Sequence, residues 1–423
     1  MTVRAAIGLL AVLAIAVVAI VAALSSGDES AGSGRSLSWF VAIQPGGTIE
    51  EVAARCSKES GGRYNVEVEF LPTDASQQRE QLVRRLGAED SSIDIVGMDV
   101  IWTGEFANAG WVEQWKGPLA KQVTEEVFPN VIETASFEGD LYAAPFNTNT
   151  QLLWYRKDLV KQPPTTWDEM IDQAEDLKEA GTIQVQANRY EGFTVWANAL
   201  IESAGTPVLS GPETVELREG PTIQALEVMG RLANSSAAPP NLSTSNEDTT
   251  RLAFEGGDSA FMTNYTFAYA SAAAEAPDIA KVMGYARFPR VDARRPSRPP
   301  LGGFNLAVSS FSENKDLAFD AAACLANRQS QLTAVELDGL PPSRSDLYTT
   351  KAVTKAYPGF AALVRESIEG SGPRPSSAAY QDVSLAIQRT LHPPDEIDPA
   401  DADSVYEELK ENLEDAVKRE GVL

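Results

Sequence analysis

Histidine and cysteine are nearly absent. The 423-residue chain has one histidine, His392, and two cysteines, Cys56 and Cys324. A lone histidine cannot build an imidazole metal cluster, and neither a DxDxDG loop nor a regular set of oxygen ligands offers a hard-ion site. The patterns GxGxxG, GxxxxGKS/T and GxSxG are also missing, so a phosphate cradle or a serine-hydrolase elbow has no foundation. No cofactor and no metal is expected. Basic residues are scarce: 35 Lys and Arg stand against 60 Asp and Glu, a formal net charge of −25. Such a chain repels a phosphate backbone, which argues against nucleic acid as a partner.

One long apolar run is present. Ala5 to Leu24 carries no charge and is just long enough to cross a bilayer core as a helix. It is longer than the usual apolar core of a secretory signal, and no clean Ala-x-Ala site precedes the polar spacer SSGDESAGSGRS. Residues 5–24 are therefore expected to tether the protein to the membrane, with a cleaved signal as the alternative. Arg4, the only charge before the run, favours an N-terminus that stays inside. Either way the body, about 390 residues and long enough for two lobes, is placed on the extracytoplasmic side of the membrane. In that oxidising space the even pair Cys56 and Cys324 reads as a disulfide joining the first helix to a late one, with two buried thiols as the alternative.

The body opens as an α/β lobe. LSWFVAI reads as a strand, Thr48 to Ser60 as a helix, and YNVEVEFL alternates as a half-buried strand. A helix over Ala75 to Leu86 and the short strand DIVGMD complete a series that predicts a largely parallel sheet. Further on, TTWDEM is a helix start, with threonine as cap and Asp and Glu in the first turn. A second set of strands and helices follows, and the chain is expected to cross between two lobes more than once. A cleft between two such lobes suits capture of a small solute.

Several segments together carry a resemblance: DIVGMDVIWTGEFANAGWVEQW, LYAAPFNTNTQLLWYRKDLV with PPTTWDEM, RLAFEGGDSAFMTNYTF, GGFNLAV and DGLPPSRSDLY. The body resembles the solute-binding proteins of sugar ABC importers, the maltodextrin-binding class, and within it the trehalose-binding lipoproteins of mycobacteria. The resemblance implies a two-lobed periplasmic-binding-protein-like fold. Residues 1–36 would be anchor or signal and linker. Residues 37–144 and 262–308 would form one lobe, and 145–261 with 309–423 the other, with hinges near Ala143 to Asn147 and Met262 to Asn264. It also implies a disaccharide ligand, trehalose first and maltose or sucrose as alternatives. The expected partners are permease subunits with a cytoplasmic ATPase, and the receptor itself is expected to be monomeric. The cysteine that carries a lipoprotein's anchor is absent near the N-terminus.

Position by position, the resemblance assigns Asp99, Asn149, Glu247, Tyr265, Gly302 or Gly303, and Arg374 to the sugar. Tyr265 replaces the family's stacking tryptophan. These residue types suit the task. Carboxylates accept from paired hydroxyls, asparagine both donates and accepts, and arginine presents a rigid fork of donors. A tyrosine ring packs on the apolar face of a pyranose. Trp102 and Trp196 are weaker candidates for an aromatic cleft. Asp99 and Glu247 also invite a second reading, a glycoside hydrolase with two carboxylates about the scissile bond. The receptor reading, without catalysis, is preferred because nothing in the sequence marks an acid of raised pKa.

Overall fold

The structure is a computed structural model and describes residues 34–72 and 75–418. The apolar run Ala5 to Leu24 lies outside the described residues. Period-2 alternation decides the first strand. β1 (Arg35–Ala42) sends Leu37, Trp39 and Val41 into one apolar cluster and Phe40 into another, on the opposite face. β2 (Tyr64–Leu71) and β3 (Ile95–Asp99) flank it in parallel, each reached through a helix, Thr48–Glu59 and Ala75–Gly87. A small ribbon follows, β4 (Ser136–Phe137) with β5 (Asp140–Leu141). β6 (Ala144–Asn149) leads after one residue into β7 (Gln151–Arg156). β7 joins β8 (Ile183–Gln184), β9 (Phe261–Tyr265) and β10 (Met283–Ala286) in a second sheet of order β10-β7-β9-β8. β11 (Pro300–Val308) and β12 (Gly372–Pro373) return to the first sheet, whose order is β12-β11-β3-β1-β2 with β6 also on β11.

Each sheet is covered on both faces, which gives two lobes, and one apolar cluster, with Leu301 of β11 beside Trp154 of β7, spans both. In the first lobe, the helices Thr48–Glu59 and Lys315–Leu325 contribute to the cluster around Leu37 and Trp39. Cys56 and Cys324, one on each helix, form a disulfide, as the even pair led one to expect. In the second, Leu153 and Phe261 join the cluster of Trp167, Phe193 and Trp196, while Leu152, Trp154 and Met262 face Phe360 and Val364. Burying side chains of this size contributes about 1.5–3 kcal/mol each. The expected cap also forms: Thr166 accepts from the Glu169 backbone N–H at the start of the helix Trp167–Leu177.

The division of the chain departs from expectation at four places, one of them β12, which lies in 309–423 yet pairs with β11 in the first sheet. Met262 to Asn264 lies inside β9, and β10 also belongs to the second sheet, so 262–286 is second-lobe and not first-lobe chain. β6 remains on β11 through Asn149, so the crossing falls at Asn149 to Gln151 and not at Ala143 to Asn147. The helix Lys315–Leu325 lies against the first lobe, not the second, and Arg328–Asp338 packs on both, with Ala334 in the first-lobe cluster and Val335 in that of Trp154 and Phe360. An alternating strand pattern reports which residues are buried but not which sheet the strand joins. The sheet is also less parallel than expected, because β11 runs antiparallel to both β3 and β6.

Candidate functional site

Strand directions bring most of the expected residues to one place. β3 and β6 both run antiparallel to β11, so their C-terminal ends, Asp99 and Asn149, lie at the same edge as the start of β11. Gly302 sits opposite Asn149 there. β12 pairs with Pro300 and Leu301 and delivers Arg374 as the next residue. From the second lobe, the end of β9 places Tyr265 opposite Gln151, the first residue of β7. Glu247 opens the helix Glu247–Gly256, capped by Asn246, and Glu191 opens the helix Glu191–Ala204. Strand ends and helix starts of two lobes thus converge.

Arg374 is the centre of this cluster. Its side chain is only 6% exposed. Nη1 donates to Glu191 Oε1 at 2.6 Å and Nη2 to Asp99 Oδ1 at 3.4 Å, linking a second-lobe carboxylate to a first-lobe one. The Ser384 hydroxyl donates to Glu191 Oε2 at 2.6 Å, and the Tyr380 hydroxyl donates to Glu191 Oε1. Tyr190 donates to Glu247 Oε2 at 2.6 Å. The Asn149 Oδ1, Gln151 Oε1 and Arg374 Nε atoms are buried and make no hydrogen bond among the described residues.

Burial shapes the charges. It raises the Asp99 carboxyl above the ordinary range, against the pull of Arg374. It also raises Glu247, against the hydrogen bond from Tyr190. Burial works against the Arg374 charge, but Tyr380, Asp99 and Glu191 outweigh it and hold the guanidinium well above its usual value. The Tyr265 hydroxyl is raised by burial and then by Glu247, with Arg374, Asp99 and Gln151 also acting on it, and it stays a neutral donor. Tyr190 and Tyr380 are raised in the same way. Carboxylate acceptors, neutral hydroxyl donors and one fixed guanidinium make a surface suited to a neutral molecule rich in hydroxyls. Among the described residues no group of His, Cys, Asp and Glu could hold a metal ion.

Asp99, Glu247, Tyr265 and Arg374 are therefore brought together, with Asn149 and Gly302 at the adjoining strand edge. A Cβ on Gly302 would lie 2.2 Å from Asn149 Oδ1. Gly303 has a φ of +135° and passes close to the Asn147 carbonyl, so it serves backbone packing. Trp102 and Trp196 are elsewhere. Trp102 is buried and stacks on Phe106, and Trp196 is buried between Trp167 and Phe193, so neither offers an open ring face. Sequence reasoning missed Gln151, Tyr190, Glu191, Tyr380 and Ser384. The phrase NRYEGF held a signal, since Glu191 opens a helix just as Glu247 does.

A polar cluster between two α/β lobes, built from strand ends and helix starts, defines a cleft-type solute-binding protein. Comparison agrees. The family described as bacterial extracellular solute-binding proteins matches residues 51–362, and the chain belongs to it. A probable ABC transporter-binding protein of Deinococcus radiodurans is 29% identical over 354 residues, which cover 79% of this chain and 82% of that protein. A maltotriose-binding protein of Pyrococcus abyssi is 23% identical over 321 residues, 74% and 68% of the two chains. The solved structure of maltose-bound MalE3 of T. maritima shares the fold, with a TM-score of 0.79 at 24% identity, and covers 90% of this chain and 99% of that one. The family and both of these relatives are described as binding proteins, and none of these descriptions supports the hydrolase reading.

Proposed function

We propose that this protein is the extracytoplasmic receptor of a sugar ABC importer and that its ligand is a neutral α-linked glucose sugar of the maltose type. The observation that carries the reading is the inter-lobe cluster of Asp99, Glu191, Glu247, Tyr265 and Arg374. The maltose and maltotriose named for the relatives above support the choice of sugar. Trehalose, implied by the sequence resemblance, appears in none of those descriptions and enters as a competitor. In this reading Asp99 and Glu247 accept from hydroxyls, Arg374 donates to ring and hydroxyl oxygens, and the Tyr265 ring supports a pyranose face while its hydroxyl donates. The ligand touches both lobes, binds the closed state better and so shifts the population toward it. The closed form then passes the sugar to permease subunits driven by a cytoplasmic ATPase.

The test is calorimetric titration of the purified protein, freed of carried-over sugar by partial unfolding, with maltose, maltotriose, trehalose, sucrose and glucose. Saturable 1:1 binding of the maltose-type sugars, weakened by Asp99→Ala and Glu247→Ala, is expected. Preference for trehalose would reject the maltose type and favour the disaccharide that the sequence resemblance implies. Absence of binding by every sugar would reject the receptor reading.

A further inference from the structure

The cleft residues of the second lobe rest on a chain of buried amides. Gln151 opens β7 opposite Tyr265 at the end of β9, and Gln186 lies just beyond β8. Both glutamines are 1% exposed. Gln151 Nε2 donates to Gln186 Oε1 at 2.8 Å. Gln186 Nε2 donates to the Thr263 carbonyl at 2.9 Å and to Thr250 Oγ1 at 3.1 Å. The neighbouring Asn264 donates through Nδ2 to the Glu247 carbonyl at 3.0 Å and accepts from the Tyr265 backbone N–H at 2.8 Å. Sugar capture as described above uses Tyr265 and Glu247 but neither glutamine.

One group in this chain has no choice of direction. A backbone carbonyl only accepts, so the Thr263 carbonyl turns the nitrogen of the Gln186 amide toward β9 and its oxygen toward Gln151. The Gln151 amide must then present its nitrogen to that oxygen. Reversed, two amide oxygens would face each other in a buried site, where unpaired polar groups are costly. The Gln151 nitrogen carries a second N–H. Gln151 stands opposite Tyr265, and its hydrogen bond acts on the Tyr265 hydroxyl in the sense of a donated N–H. The Tyr265 oxygen is thereby an acceptor within the protein, and its own O–H is left to point away from Gln151. Gln151 Oε1 is buried without a hydrogen-bond partner among the described residues, so only the nitrogen end of that amide is engaged.

We propose that Gln186 is a positioning residue for sugar capture: acting through Gln151, it fixes the Tyr265 hydroxyl as a donor toward the ligand. This rests on the sugar-receptor reading above. The ligand atom facing the Tyr265 hydroxyl is then an oxygen that accepts, while Asp99 and Glu247 take hydroxyl donors of the same sugar. Direction set in advance matters, because a hydroxyl free to rotate loses that freedom on binding and a pre-oriented one does not. Gln186 is bonded to Gln151, Thr250 and Thr263, and its effect on the ligand passes through the first of these.

The experiment titrates the full-length protein calorimetrically with maltose, or with trehalose if the parent prefers it, in a double-mutant cycle of Gln186→Met and Tyr265→Phe. Methionine keeps the length of the side chain and removes both ends of the amide. Gln186→Met is expected to weaken binding by roughly fivefold, the size of one hydrogen bond. In the Tyr265→Phe background the same substitution is expected to change affinity by less than about twofold, because the hydroxyl it orients is gone. A glutamine that served only the fold would lower the urea midpoint and weaken binding equally in both backgrounds. Gln151→Met, which breaks the chain one step later, repeats the cycle if Gln186→Met folds poorly. Equal losses in the two backgrounds, or no loss from Gln186→Met, overturn the inference and leave the receptor reading intact. Failure of the parent to bind any sugar overturns both.

Discussion

Replacing Arg374 by glutamine removes the guanidinium that touches a carboxylate from each lobe. Its side chain is 6% exposed, and Asp99 and Glu191 are 21% and 20% exposed. Removing one partner of a buried ion pair destabilises by about 3–5 kcal/mol. The Asp99 contact, at 3.4 Å, is long, and both acids keep some access to water. The expected loss is therefore at the lower end, about 3 kcal/mol at pH 7.5. The sign of the pH effect follows from Asp99. Arg374 now opposes the burial that raises its pKa. Without the guanidinium that rise is opposed only by the hydrogen bond from the Ile101 backbone N–H, so Asp99 takes up a proton more readily as pH falls. The deficit of Arg374→Gln should then shrink at pH 4.5. Urea unfolding followed by tryptophan fluorescence at the two pH values measures both quantities. A loss below about 1 kcal/mol at pH 7.5, or an equal loss at both pH values, would show that the inter-lobe charge network is not what Arg374 contributes.

Three further outcomes are expected. Burial raises the Glu202 carboxyl from an ordinary 4.5 to about 7 against the pull of Arg298, so its charge opposes folding by about 3 kcal/mol above pH 7 and not at all below pH 4.5. Glu202→Gln should therefore be more stable than the parent at pH 8 by up to that amount, with the advantage gone at pH 4.5; a pH-independent difference in urea midpoint would contradict this. The double variant Cys56→Ser, Cys324→Ser opens a cross-link between residues 268 apart and should lower unfolding stability by about 2–5 kcal/mol, with no change on adding reductant. Gly302→Ala forces the Asn149 side chain aside and should weaken sugar binding at least tenfold by calorimetry, whereas Gly211→Ala, whose Cβ meets nothing within 4 Å, should bind normally.

Much of the local structure was legible in the chain. LSWFVAI and YNVEVEFL read as strands and form β1 and β2, and TTWDEM marked a helix start, because both depend on neighbours within a few residues. Composition limited the chemistry: one histidine and two cysteines cannot build a cluster of imidazole ligands, and the even cysteine pair pointed to the bond that forms. Asp99, Glu247, Tyr265 and Arg374 were found through a resemblance spread over the whole body, and no spacing between them would have revealed the cluster. Glu191 was missed because its meaning lies in Arg374, 183 positions away.

Tertiary structure decided the rest. Whether β9 and β10 joined the first or the second sheet depended on which partner strands were free, and period-2 burial is the same in either sheet. Trp196 became core and not cleft because the helix Glu191–Ala204 is buried on nearly every side, so hydrophobic character gave no direction. A cavity beside Arg374 exists only because a first-lobe ribbon and a second-lobe turn face each other across the lobe boundary. Sequence by itself determined which residues are apolar, which cap helices and which can carry charge. Only the folding of two separate sheets against each other determined which of those charges meet.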